Sequence, residues 1–241
     1  MAEPGGKDFE TQYNEVLNIT LNTTSAPSSG AVTLQIVKDI LNEKMRTYQA
    51  SEEHLWARRT DTTTTLATST SIYTLIANCR KPIRFVNTTK GQVMRFIPRG
   101  DYERQYPKRT SDFSNGLPTW WTYADPDTDL DIKVLFGPSI PTTAENGDVI
   151  EMTYYKHHVD LSATTDKSDI PVTDQQIPIW LACAEVFVRL NMPEEAQVWA
   201  NSAERLRRTV WKERQNQPDF VDTPYDYYEG IPNVPPYPIN F

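Results

Sequence analysis

Cysteine is almost missing from this sequence of 241 residues, with Cys79 and Cys183 the only two. Lying about a hundred positions apart, they supply neither a metal-ligand spacing nor a disulfide framework. They read as small buried hydrophobes in a reducing compartment. Histidine is as scarce: His54, His157 and His158 are the full set. The adjacent pair points to opposite faces of an extended strand, and with no H-x-x-x-H or cysteine partner the three make a poor zinc site. Glycine occurs nine times, and G-x-S-x-G, G-x-x-x-x-G-K-[ST] and G-x-G-x-x-G are all missing, which removes the backbone phosphate cradles. No stretch approaches the ~18 apolar residues of a membrane helix. The opening MAEPGGKDFE has no basic region followed by an apolar one, so no secretory signal is expected. The N-x-T triplets at Asn18, Asn22 and Asn87 then reflect threonine-rich sequence and not glycosylation.

Basic charge is the other deficit. Lys and Arg number 24 against 32 Asp and Glu, a net charge of -8, with a pI near 5.0. Gripping duplex DNA takes clustered cations, and here they are scattered and outnumbered. An acidic surface instead suits a wall that phosphate slides past. Hydrophobic content is 38% and mean hydropathy -0.58, polar for a chain long enough for one large domain or two small ones. Both a monomer and a subunit that hides extended arms against neighbours fit these totals.

What is present falls into blocks. Asp8 is placed to cap a helix to about Leu21, with Phe9, Tyr13, Val16 and Leu17 on one face. After the loop NTTSAPSSG, Leu34, Val37, Leu41 and Tyr48, widened by Ile36 and Ile40, stripe a second helix that continues toward Trp56. RRTDTTTTLATSTSIYTLIA is β-branched and reads as a hairpin. IRFVNTTKGQVMRFIP gives two more strands turning at Lys90-Gly91, GDYERQYP one helical turn, and GLPTWWTY, DLDIKVLF and DVIEMTYYKH further strands. A helical hairpin closes the set. Ile177, Trp180, Leu181, Ala184 and Val188 share a face of its first arm, and Ala196, Trp199, Ala203, Leu206 and Val210 make the seam of its second. Pro193 sits at N1, with Glu194 and Glu195 at the positive dipole end. The expected fold class is α+β: mainly an antiparallel four-helix bundle with an inserted antiparallel β region and an extended C-terminal arm. Its parts are N-terminal helices over 1–57, the β region over 58–160, the helical hairpin over 161–216 and the arm over 217–241.

Two stretches invite chemistry. In DPDTDLD, Asp125, Asp127 and Asp129 match three positions of a calcium-binding EF-hand loop, but Leu130 and Phe136 stand where Gly and a bidentate Glu are required. The run reads as an acidic turn entering a strand. In PTWWTY, alternation places Trp120 and Trp121 on opposite faces, so one can fill a core while the other offers a partner or sugar platform. Both filling the interior is the competing arrangement. No catalytic constellation stands out, and an enzyme is not expected.

Taken in order, the blocks resemble the head-to-tail adaptor (head completion) proteins of tailed bacteriophages. FETQYNEVLNITL is similar to that family's opening helix, and IVKDILNEKMRTY, HLWARR and the threonine-rich strands to its next block. Gly116, Pro118 and Trp120, then Leu135 to Pro138, then Ile150 to Ser162 carry the most characteristic part. SDIPVTDQQIPIWLACAEVFVRLNMPEEAQVWANSAERL, with Pro171, Ile179, Ala182 and Ala184, is similar to the closing hairpin. The resemblance runs from Phe9 to Arg214. It implies a structural virion protein at the head–tail interface, assembled in the host cytoplasm, with no cofactor and no membrane. It further implies a homo-oligomeric ring of about twelve copies under the portal protein, which extends a channel for genomic DNA and docks a tail or nozzle protein. Another tail structural or receptor-binding subunit is the alternative.

The end of the sequence is a different material. YDYYEGIPNVPPYPINF holds five aromatics, four prolines and no Lys or Arg. From Gln217 onward, prolines forbid helix and central strand and favour extended conformation. Proline limits the free chain, so less entropy is lost on docking, and tyrosine offers large area on few rotors. Tyr225, Tyr227, Tyr228, Tyr237 and Phe241, together with Trp120, are the candidate partner-binding residues, and the stretch reads as an intersubunit arm.

Overall fold

Asp8 has extended backbone and its Oδ1 accepts the Thr11 amide at 2.8 Å, so helix α1 starts at its expected cap and runs Phe9–Leu21. The structure is a computed structural model that describes residues 6–25, 30–125 and 132–215. The candidate arm from Gln217, with its five aromatic anchors, lies outside the described residues. Helix α2, Leu34–Ser51, is capped by the Thr33 side chain. It does not reach Trp56. Near its end Ser51 Oγ, at 2.8 Å, and His54 Nε2, at 3.2 Å, both meet the Tyr48 carbonyl, and side chains that take up last-turn carbonyls favour a stop. Leu55–Ala57 then form a single 3-10 turn.

The described residues divide into two compact units, one made of the chain up to Ala57 with the chain from His157, the other of Arg58–Lys156. In the first, α1 and α2 join α4 (Gln176–Arg189) and α5 (Pro193–Gln215) around a core that includes Phe9, Leu17, Leu41, Met45, Ile179 and Val186. The expected face of α4 holds at Ile177, 1% exposed, and Ala184, 9%, with Trp180 and Leu181 packed on the core, but Val188 is 58% exposed and Ile179, Ala182, Cys183 and Val186 are fully buried as well. Helix α4 packs against α1, α2 and α5, and three neighbours leave it only a narrow outward strip. The Cys79 and Cys183 thiols are both buried, and burial pushes each up to about 12, which suits inert packing groups.

Strands β1 (Arg58–Thr65), β2 (Ile72–Thr74), β3 (Cys79–Asn87), β4 (Gln92–Phe96), β6 (Trp120–Tyr123), β7 (Lys133–Gly137) and β9 (Val149–Lys156) build the second unit. They form one seven-stranded sheet in the order β1-β9-β3-β4-β6-β7-β2, curled into a half-barrel. The short β5 (Ser114–Asn115) and β8 (Ser139–Ile140) pair separately and in parallel. Lys90-Gly91 does turn β3 into β4, with Gly91 at φ 66. The threonine-rich hairpin does not form, because β1 pairs with β9 and β2 with β7, at opposite edges of the sheet.

The expected architecture is therefore corrected. The chain is α+β with five helices among the described residues and a large mixed sheet, and it is not mainly a four-helix bundle. Two physical reasons stand out. The β region owns a core of its own, with Phe85, Trp121, Phe136, Ile150 and Met152 each at most 1% exposed. Nor is the sheet antiparallel throughout, because β4 and β6 run parallel. Parallel neighbours need a long crossover, and here helix α3 (Arg99–Gln105) lies within the connection.

One side chain ties the helical unit together over a long stretch of sequence. Asn42 on α2 donates to the Leu161 carbonyl at 3.0 Å and accepts the Leu161 amide at 2.9 Å. Asn42 and Leu161 are both buried. Asn42→Ala leaves a buried N–H and C=O without partners and is expected to cost about 2–4 kcal/mol. Urea unfolding would show this as a lower midpoint at unchanged slope; an unchanged midpoint would refute it.

Acid should loosen the same unit. The α1 amides of Phe9 and Glu10 donate to the carbonyls of Asp166 and Thr164. That loop is held by Asp166 Oδ2, which accepts the amides of Ser162 and Ala163 at 2.8 Å each. The Ser162 amide, then that of Ala163, holds the Asp166 carboxyl below its ordinary 3.8. A carboxyl with a depressed folded pKa stabilises fully above its unfolded value and loses that contribution as pH falls through the folded one. The melting temperature is thus expected to fall on acidification from about pH 5 to below the ordinary carboxyl range. Asp166→Asn should lower it at neutral pH and flatten that slope. Parallel curves for the two proteins would show that Asp166 is not responsible.

Candidate interaction surfaces

Strand β6 carries both tryptophans into the interior. Trp121 is 1% exposed, with ring centroids 4.8 Å from Phe85 and 4.7 Å from Phe96. Trp120, on the other face, is 5% exposed and meets Tyr106 at 5.5 Å, Phe113 at 5.6 Å and Tyr102 at 5.7 Å. The alternation is real, but α3 and the turn after it cover the second face, so the sheet is dry on both sides here. Trp120, a candidate partner-binding residue, thus sits in an aromatic cluster and not on a surface platform. Gly137 explains how its ring fits: a Cβ there would lie 2.5 Å from Trp120 Cζ2 and 2.9 Å from Phe113 Cζ. This second core was legible only in part. The tyrosines and Phe113 are conspicuous, yet nothing local tells that they converge on Trp120.

The edges of the sheet are poor docking strands. Strand β1 is eight residues long, but its register shifts between Asp61 and Thr64, and Asp61 Oδ2 accepts the Thr63 amide at 3.2 Å and its hydroxyl at 2.8 Å. A bulge with a charge at its mouth is the usual guard against edge pairing. At the other edge β2 has three residues.

Asp125, from the acidic run, receives Arg99 Nη2 at 2.9 and 3.1 Å, while Asp127 and Asp129 lie outside the described residues. His54 is buried and stacks on Trp56, with ring centroids 4.9 Å apart. Among the described residues no group of three His, Cys, Asp or Glu is placed to hold a metal ion, and none of the helices is long and apolar enough to cross a membrane.

The helical hairpin is more open. Leu190 to Met192 join α4 to α5, with Asn191 in the left-handed region at φ 61. The seam of α5 is as expected: Ala196, Ala203 and Val210 are buried, with Trp199 and Leu206 packed beside them. On the outward sides Val188 is 58% and Val198 61% exposed. Further along α5, Asn201, Arg205, Arg208, Thr209 and Lys212 are all exposed. Among the described residues the hairpin thus offers an open helical flank, while the sheet is covered around β6 and guarded at both edges. The model of the SU10 adaptor protein family matches residues 12–223, across both units. The chain belongs to that family. It is a family of the phage head–tail adaptor type, and the chain is accordingly a phage adaptor protein and a virion component that interacts with other virion components. No curated protein matches the chain.

Proposed function

We propose that this SU10-family adaptor is a structural protein without turnover, whose copies, about twelve as the resemblance to head-to-tail adaptors implies, form a closed ring beneath the portal. The ring extends the channel for genomic DNA without reading its sequence and presents a surface on which a tail or nozzle protein docks. Assembly takes place in the host cytoplasm before the tail joins. The observation that carries this reading is the family match over residues 12–223. The net charge of -8 supports it, because a wall that phosphate must pass should not hold it. The burial of Trp120 and Trp121 favours it over a receptor-binding subunit, which needs exposed aromatics for its ligand.

Electron microscopy of the purified protein with and without its portal tests the proposal. A twelvefold ring, or a collar on the portal, is the expected image. A stable monomer that never joins the portal would overturn it.

A further inference from the structure

Along α5, Val198, Asn201, Arg205, Arg208 and Lys212 follow one another at spacings of three or four and so line one face of the helix. That face is turned away from the buried stripe of Ala196, Ala203 and Val210. A depression of about 390 Å³ lies on it, bordered by Asn201, Glu204, Arg205, Arg208, Thr209 and Lys212. Arg208 pairs with Glu204 at 2.9 Å. Among the described residues, Arg205 and Lys212 have no carboxylate within ion-pair distance. The face is locally positive on a chain whose net charge is -8.

The last stretch of the sequence has the complementary chemistry. From Gln217 onward it carries Asp219, Asp222, Asp226 and Glu229 with no Lys or Arg, and it is rich in tyrosine. Carboxylates pair with guanidinium groups, tyrosine rings stack on them, and an exposed valine offers an apolar foothold. We propose that the outer face of α5 in one copy receives the acidic, aromatic segment 217–241 of a second copy. The segment follows closely on α5, which ends at Gln215. Fully extended, it reaches at most about 85 Å, against roughly 34 Å for α5 itself, so a neighbouring copy is within range. The contact uses different surfaces on its two sides, the heterologous geometry that links copies in series and can close a ring. Nucleic acid is a poorer occupant, because a few cations with Glu204 among them release few counterions. The inference rests on the adaptor reading and names the surface through which copies join.

Two full-length variants test it, Asn201→Cys in one and Tyr227→Cys in the other. The native thiols are buried and stay silent. After mixing and mild oxidation, a non-reducing gel should show a linked pair at least about tenfold stronger than either variant alone; particle masses are measured before oxidation. Adding Asp222→Lys and Asp226→Lys to the second variant should abolish the link, and adding Arg205→Glu and Lys212→Glu to the first should restore it. The proposal fails if a chain carrying both cysteines links only within itself. It fails equally if Arg205 and Lys212 retain duplex DNA while no link forms, or if no link forms at all. Copies that assemble without linking would sink the dock and leave the adaptor reading standing. Copies that never assemble, with or without portal, would sink both.

Discussion

A chain ending at Asn216 is expected to melt within about 2 °C of the full-length protein and to lose at least about tenfold in its attachment to neighbouring copies, portal or tail protein. The first half follows from where the interior lies. Among the described residues, the buried ones of the helical core run from Phe9 to Val210 and those of the sheet core from Leu66 to Tyr154, and truncation takes none of these away; at roughly 2–4 °C per kcal/mol, an unchanged core means a small shift. The second half follows from composition. A proline-rich stretch with five aromatics from Tyr225 on carries apolar area at a low entropy cost of ordering, and such area contributes where it is buried. Calorimetry and portal co-sedimentation on the two chains read both halves. A sharp drop in melting temperature with attachment unchanged would show the segment to be part of its own chain's interior.

Replacing Trp121 by alanine is expected to cost about 3–5 kcal/mol, lowering the melting temperature by roughly 10 °C. The indole is 1% exposed and shared between Phe85, Phe96 and Tyr123, whose ring centroids lie 4.8, 4.7 and 5.7 Å away. Removing it opens a cavity at the centre of the curled sheet, where strands on either side are hydrogen-bonded and cannot collapse inward. Trp121→Phe keeps part of the ring area and should cost less than half as much. Because the helices own a separate core, the helical signal in circular dichroism should outlast the hydrogen-exchange protection of the sheet amides in a urea titration of Trp121→Ala. If both variants unfold at the wild-type midpoint, the dry core around β6 is not what the structure describes.

Much of the chain was legible where the deciding chemistry is local. Asp8 and its acceptor role, the glycine turn at Gly91 and the spacing of Ala196, Ala203 and Val210 are written within a few residues, and each lies where it was expected. The failures share a different character. Threonine-rich strands next to each other in sequence look like a hairpin, but β-propensity does not choose a partner, and β1 and β2 found β9 and β7. On α4 the expected face is buried at Ile177 and Ala184 but not at Val188, and packing against α1, α2 and α5 buries Ile179, Cys183 and Val186 besides. At Trp120 and Trp121 alternation set the rings on opposite faces of β6 and the arrangement with both in the interior is the one found, but no local pattern says that α3 supplies the cover over Trp120.

By itself the sequence determined most of the elements, the starts of α1 and α5, the inert placing of two cysteines, the acid-rich charge balance and the family, since caps, turn residues, periodicity and composition act over short range. Only the tertiary structure decided the rest: the mixed order of the sheet, its second aromatic core against α3, the bond from Asn42 to Leu161, and the open cationic face of α5. Each of these joins residues far apart in sequence or depends on what a neighbouring element leaves uncovered. Which distant surfaces meet is settled by burial and hydrogen-bond satisfaction summed over the whole chain, a sum that no local pattern contains.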